Sequence, residues 1–176
     1  MSESSEPELN YIAYDGFLAM IHALSRQIEA SDWTPDFIVG IGRGGLVPAV
    51  YVSHEMQVPM LSIDHSSKVP GFADELLDKV AGKSTEGTRL LFLDDINDSG
   101  GTITYIRNLL GDSGAEATNM RFAVLINNLR SQTGVDHWAE AIDRDEDKRW
   151  FVFPWEAVGA RTAIVEEALS VPERLA

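Results

Sequence analysis

"LLFLDDINDSGGTI", residues 90–103, is the stretch whose reading decides the fold. Four apolar residues run into Asp94 and Asp95, and the chain then turns through Asp98-Ser99-Gly100-Gly101-Thr102. An ordinary turn needs one Asp or Asn and one Gly. A surplus of both, between an apolar strand at 89–95 and an amphipathic helix at 102–110, marks a loop built to hold a ligand. Similar short apolar runs recur at 37–41, 59–63, 120–126 and 149–153. Helical periodicity lies between and around them at 15–30, 46–56 and 162–170. Asp15 is placed as the N-cap of the first of these helices, and Pro48 in the first turn of the second.

Continuous apolar strands alternating with helices predict an α/β fold, a parallel sheet flanked by helices on both faces. In such sheets ligands bind beyond the carboxyl ends of the strands. Both unusual segments, "GRGG" at 42–45 and the Asp-Gly-Gly loop, fall at that edge. They are expected to face one site.

Composition narrows the ligand. The 176 residues form one domain at 11–176 behind an acidic, polar tail at 1–10, which is expected to be disordered. No segment has the length and apolarity of a membrane span, and no basic-then-apolar leader opens the chain. There is no cysteine, which excludes disulfides and thiolate chemistry and fits a reducing cytoplasm. A net charge of −14 argues against a nucleic-acid surface. An anionic ligand must therefore be met by backbone amides, a few local cations or a metal ion.

The loop offers those groups. Residues 98–102 enter a helix whose first amides have no intrahelical acceptor, and Gly100 and Gly101 let the backbone close around a ligand. A phosphate monoester suits such a nest, with Ser99 and Thr102 adding hydroxyl donors. Asp94 and Asp95 would repel a phosphate but receive a sugar diol or a hard Mg²⁺ ion. Phosphate, diol and metal together point to a phosphorylated ribose.

This loop resembles the phosphoribosyl-diphosphate signature of the type I phosphoribosyltransferases. "FIVGIGRGGLVPA" is similar to the diphosphate loop of the xanthine-guanine and hypoxanthine members, and "WFVFPWE" to their C-terminal base-binding hood. The likeness covers roughly residues 11–156. It implies that fold, with a flexible lid at 64–87 and a hood at about 127–156. It implies that Gly42, Arg43 and Gly44 bind diphosphate, with the peptide before Arg43 often cis. Asp94 and Asp95 would hold the ribose hydroxyls directly or through Mg²⁺, and Ser99, Gly100, Gly101 and Thr102 the 5′-phosphate. Asp98 would be the general base. Trp150 would stack on the base, while the backbone at Phe151 and Val152 reads its 2-position. The implied reaction moves 5-phosphoribosyl from phosphoribosyl diphosphate to a 6-oxopurine, in a homodimer or homotetramer serving purine salvage.

Three positions depart from that pattern. The lid carries "HSSK" where a Ser-Tyr pair is usual, Asn127 stands where a Lys reads the 6-oxo group, and Val152 replaces an acidic residue. Two other readings stay open. A regulator of this fold could bind the donor or a nucleotide without turnover. Gly40, Gly42 and Gly45 also spell the dinucleotide fingerprint, with Asp64 near the end of the next strand. His22, His54, His65 and His137 lack metal-ligand spacing, and 143–148 reads as a solvated loop.

Overall fold

The computed structural model describes residues 6–64 and 72–171. These form two compact units, one within 20–142 and one joining residues 6–19 to 143–171. The larger unit holds β2 (Phe37–Ile41), β3 (Met60–Ile63), β4 (Leu90–Asn97), β5 (Met120–Asn128) and β6 (His137–Ile142). All pair in parallel, in the order β3-β2-β4-β5-β6. Crossovers are α2 (Gly42–Met56), α3 (Phe72–Thr85) and α4 (Gly101–Asp112). The predicted parallel sheet flanked by helices is what forms.

Strand alternation distributes the apolar residues to two faces. Val39, Ile41, Leu90, Phe92 and Phe122 pack with Leu77, Val80 and Ala81 of α3 and with Ile103, Ile106 and Leu110 of α4. The Phe92 and Phe122 rings stack across neighbouring strands at 5.0 Å. On the other face Gly40 lies under α2, where an added Cβ would sit 3.1 Å from that of Ala49. Pro48 is in the second turn of α2 rather than the first, because the helix begins immediately after β2. Its missing N–H leaves the Gly44 carbonyl without the usual donor four residues on. Asp15 lies inside the first turn of α1 (Tyr14–Glu29) instead of capping it.

The smaller unit contains β1 (Leu9–Tyr11), β7 (Trp150–Val152) and α5 (Arg161–Leu169). β1 and β7 pair in parallel, so residues 9–10 of the expected tail are strand; residues 1–5 lie outside the described residues. Glu6 also pairs with Arg161 at 2.6 Å. The segment 143–148 is no solvated loop throughout: Arg144 is 6 % exposed and donates to the carbonyls of Asp147 and Arg149 at 3.1 and 2.7 Å. Periodicity could not show this, since the turn is built around one buried cation.

The span 64–87, expected as a lid with one short helix at 73–80, is largely α3, Phe72–Thr85. Leu77, Val80 and Ala81 recur at helical spacing and bury in the core, so this part of the span is a crossover helix. Residues 65–71, including "HSSK", lie outside the described residues. Leu77→Ala should therefore cost about 2–5 kcal/mol of stability, as for other buried leucines. Denaturant unfolding checks this; a side chain on an open lid would leave the midpoint unchanged.

Candidate functional site

The strand order reverses direction between β2 and β4: β3 lies to one side of β2, and β5 and β6 lie beyond β4. Such a switch point leaves a crevice beyond the carboxyl ends of the two central strands. "GRGG" leaves β2 there, and Asp94 and Asp95 lie in the last four residues of β4. The two segments expected to share a site are therefore neighbours.

Their contact is close. Gly42 has φ +54°, a conformation glycine adopts without strain, and it turns the chain from strand to helix within one residue. Among the described residues every peptide is trans, the one before Arg43 included, which corrects the expectation of a cis bond. Gly45 packs onto β4 so tightly that an added Cβ would stand 2.0 Å from the Leu93 carbonyl oxygen. At Gly44 it would stand 2.6 Å from an Asp95 carboxylate oxygen. Arg43, between these glycines, is exposed.

The two aspartates differ. Asp94 is 8 % exposed, and its Oδ1 accepts the Asp95 N–H at 3.1 Å. Asp95 is half-buried, and its Oδ1 accepts the Ile96 N–H at 2.7 Å. Burial first, and then the neighbouring Asp95 charge, pushes the Asp94 carboxyl well above its ordinary value of 3.8; the Asp95 N–H pulls weakly the other way. A divalent cation would relieve both causes. Mg²⁺ suits a pair of carboxylates, since it takes one or two from protein and the rest of its oxygens from water and substrate phosphates. Among the described residues no cluster of three or more His, Cys, Asp or Glu offers a cage made of protein alone.

Gly100 caps α4 with φ +89°. An added Cβ there would lie 2.8 Å from Ser131 Oγ and 2.9 Å from the Thr133 backbone. Thr104 N–H is the first to reach an intrahelical acceptor, the Gly100 carbonyl at 2.9 Å. The amides of Gly101, Thr102 and Ile103 precede it and have no acceptor within the helix; Gly101 N–H makes a long 3.3 Å contact with Ser99 Oγ. This is the nest expected at 98–102, with Ser99 and Gly101 exposed.

The turn after β5 braces that nest, and sequence reasoning missed it. β5 and β6 are parallel yet joined by only residues 129–136, without a helix. Gln132 N–H donates to the Ser99 carbonyl at 3.2 Å, and the Thr104 and Thr133 hydroxyls touch. Asn97 Nδ2 donates to Asn127 Oδ1 at 2.8 Å and to the Thr133 carbonyl at 2.7 Å, while Ser131 Oγ donates to Asn97 Oδ1 at 3.1 Å. Asn97 and Asn127 are register partners at the ends of β4 and β5. The signal was two strands that both end in asparagine, readable only once the register is known. Asp98, 8 % exposed, is met instead by Asn128.

Trp150, Phe151 and Val152 belong to the smaller unit. Trp150 N–H donates to the Glu8 carbonyl at 2.8 Å, and the Val152 carbonyl accepts from Ile12 N–H at 2.9 Å. Alternation turns the Phe151 N–H and C=O toward the opposite edge of β7. Val152 is fully buried, and Trp150 and Phe151 are half-buried.

A family model for the phosphoribosyl transferase domain matches residues 11–158. The chain belongs to this family. With that membership it is a transferase of the phosphoribosyl class, and the dinucleotide reading of "GIGRGG" falls. The chain is 27 % identical, over 68 % of its length and 67 % of the relative's, to a xanthine-guanine phosphoribosyltransferase of Roseobacter denitrificans. In fold it is similar to the xanthine-guanine-hypoxanthine phosphoribosyltransferase of Helicobacter pylori (TM-score 0.63, 21 % identity, 86 % of this chain and 95 % of that one). It is also similar to a hypothetical protein of Neisseria gonorrhoeae solved with bound ppGpp (TM-score 0.67, 18 % identity, 95 % and 97 %). No helix among the described residues is long and apolar enough to cross a membrane.

The electrostatics of Asp94 set a testable sign. Its folded pKa is raised, so its proton favours the folded state below 3.8, and that contribution is lost as pH rises through the folded value. Asp94→Asn keeps the acceptor for Asp95 N–H and removes the buried charge. In EDTA the variant should melt higher than the parent at pH 8, and the gain should shrink as pH is lowered toward 5. A gain independent of pH in thermal melts would contradict this assignment.

Proposed function

We propose that the protein transfers 5-phosphoribosyl from phosphoribosyl diphosphate to a 6-oxopurine, releasing diphosphate and a nucleoside monophosphate in purine salvage. The observation that carries this reading is the setting of Asp95 against the Gly44 backbone at the switch point of the sheet, on the strand that leads into the open amides of α4. Anion-binding amides and diol-binding carboxylates side by side match a sugar phosphate. The purine relatives support the choice of acceptor.

In this reading Ser99, Gly100, Gly101 and Thr102 hold the 5′-phosphate, and Gly42, Arg43 and Gly44 the diphosphate. Asp94 and Asp95 take the ribose hydroxyls and would hold Mg²⁺, which when bound offsets charge on the leaving diphosphate. The C1′–oxygen bond breaks with its electron pair leaving on diphosphate, and the purine nitrogen forms the new bond to C1′. Asp98 accepts the proton displaced from that ring. Trp150 stacks on the base, and the Phe151 backbone faces its 2-position.

Asp98→Asn should keep the fold and donor binding but lower kcat by roughly 10²–10⁴-fold, the range for a lost general base. Steady-state kinetics with calorimetry of donor binding checks both halves. EDTA should abolish turnover and Mg²⁺ restore it, because so acidic a chain meets a polyanion poorly without a cation. In a panel of free bases, hypoxanthine and guanine should outperform xanthine, since Val152 brings no side-chain donor to a 2-oxo group. Preference for xanthine over both would overturn the base assignment.

A second reading is a nucleotide-binding regulator, supported by the fold neighbour solved with ppGpp. Tight guanosine-tetraphosphate binding with no diphosphate release from any base would favour it.

A further inference from the structure

Asn127 and Asn128 close β5 side by side, and alternation sends their side chains to opposite faces. Asn127 joins the Asn97 network and Asn128 reaches Asp98. The orientation of the Asn128 amide is determined by its partners. Its Oδ1 accepts the Arg130 N–H at 3.0 Å, so the other end is the NH₂ group. That NH₂ donates to the Asp98 main-chain carbonyl at 3.0 Å and approaches Asp98 Oδ1 at 3.5 Å. The first bond anchors the residue; the second is long and biases the carboxylate.

The amide is itself held in place. Asn128 is 6 % exposed, its carbonyl accepts Ser131 N–H at 3.0 Å, and the next residue donates to the Ile142 carbonyl at 2.8 Å. A side chain fastened at both ends and buried has one rotamer to offer. Its donor is also neutral. A cation in its place would pair with the carboxylate and weaken it as a base.

We propose that Asn128 is a positioning residue for Asp98, anchoring it through the bond to its main-chain carbonyl and biasing its carboxylate through the longer approach of the same buried amide nitrogen. The proposal rests on the reading of Asp98 as general base, and its test separates the two. Asn128→Ala should lower kcat by about tenfold, less than losing the base itself, with the donor KM within about twofold of the parent. In an Asp98→Asn background the same change should cost nothing further, since the two residues act as one unit. Asn128→Asp keeps the size and the Arg130 acceptor but sets a second carboxylate beside Asp98, and should fall below the alanine variant. A loss in the double variant equal to that in the single one overturns the proposal.

An activity-independent measurement completes the test. The Asp98 carboxyl carbon resonance, assigned by its disappearance in Asp98→Asn, should move in Asn128→Ala while those of Asp94 and Asp95 stay. An unmoved Asp98 resonance overturns the proposal whatever the kinetics show. A moved resonance with unchanged kcat leaves the positioning contact standing and removes Asp98 from the chemistry.

Discussion

The site depends on how closely α2 approaches β4. Gly45 lies against the Leu93 carbonyl where a methyl group would be 2.0 Å from oxygen, an overlap with backbone that no rotamer change relieves. Because the helix can settle this deep, its first turn arrives beside Asp95, with Gly44 against the carboxylate. A side chain at either glycine would push the first turn of α2 away from the carboxylates. The glycines that imitate a dinucleotide fingerprint serve this packing.

That approach has an electrostatic consequence. Two adjacent carboxylates lie near the end of a buried strand in a chain of net charge −14, one buried and the other half-buried. Burial and the neighbouring Asp95 charge raise the Asp94 carboxyl well above its ordinary value. A cation bound between the two carboxylates would offset both effects.

The open N-terminus of α4 is held from outside its own motif. Ser131, Gln132 and Thr133, on the short link between β5 and β6, contact Ser99, Gly100 and Thr104, and Asn128 reaches Asp98. The link can be short because it only has to return along one parallel neighbour, from Asn128 to the level of Ala123. An exposed helix N-terminus is thereby given a fixed backing of hydrogen bonds. Orientation of Asp98 and closure of the nest then depend on the same eight-residue segment, 129–136, and the residue before it.

Local chemistry made much of this legible. Strands β2, β4 and β5 follow from continuous apolar runs, α4 from its periodicity, and the ligand-binding character of 98–102 from a density of Asp and Gly that a plain turn does not require. Those features are properties of neighbouring residues, so the sequence alone determines them. Other features needed the tertiary structure. β1 is a strand only because β7 accepts it; β6, "HWAEAI", lacks a continuous apolar run; and α3 is part of the core because Leu77, Val80 and Ala81 join the apolar cluster built by the sheet and α4. The roles of Asn97, Asn127 and Asn128 turn on which strand lies beside which and in what register. Adjacent asparagines at a strand end look equivalent in a sequence. Only pairing of β5 with β4 decides that one joins a structural network and the other meets Asp98, because alternation assigns faces and the neighbouring strand supplies the partners.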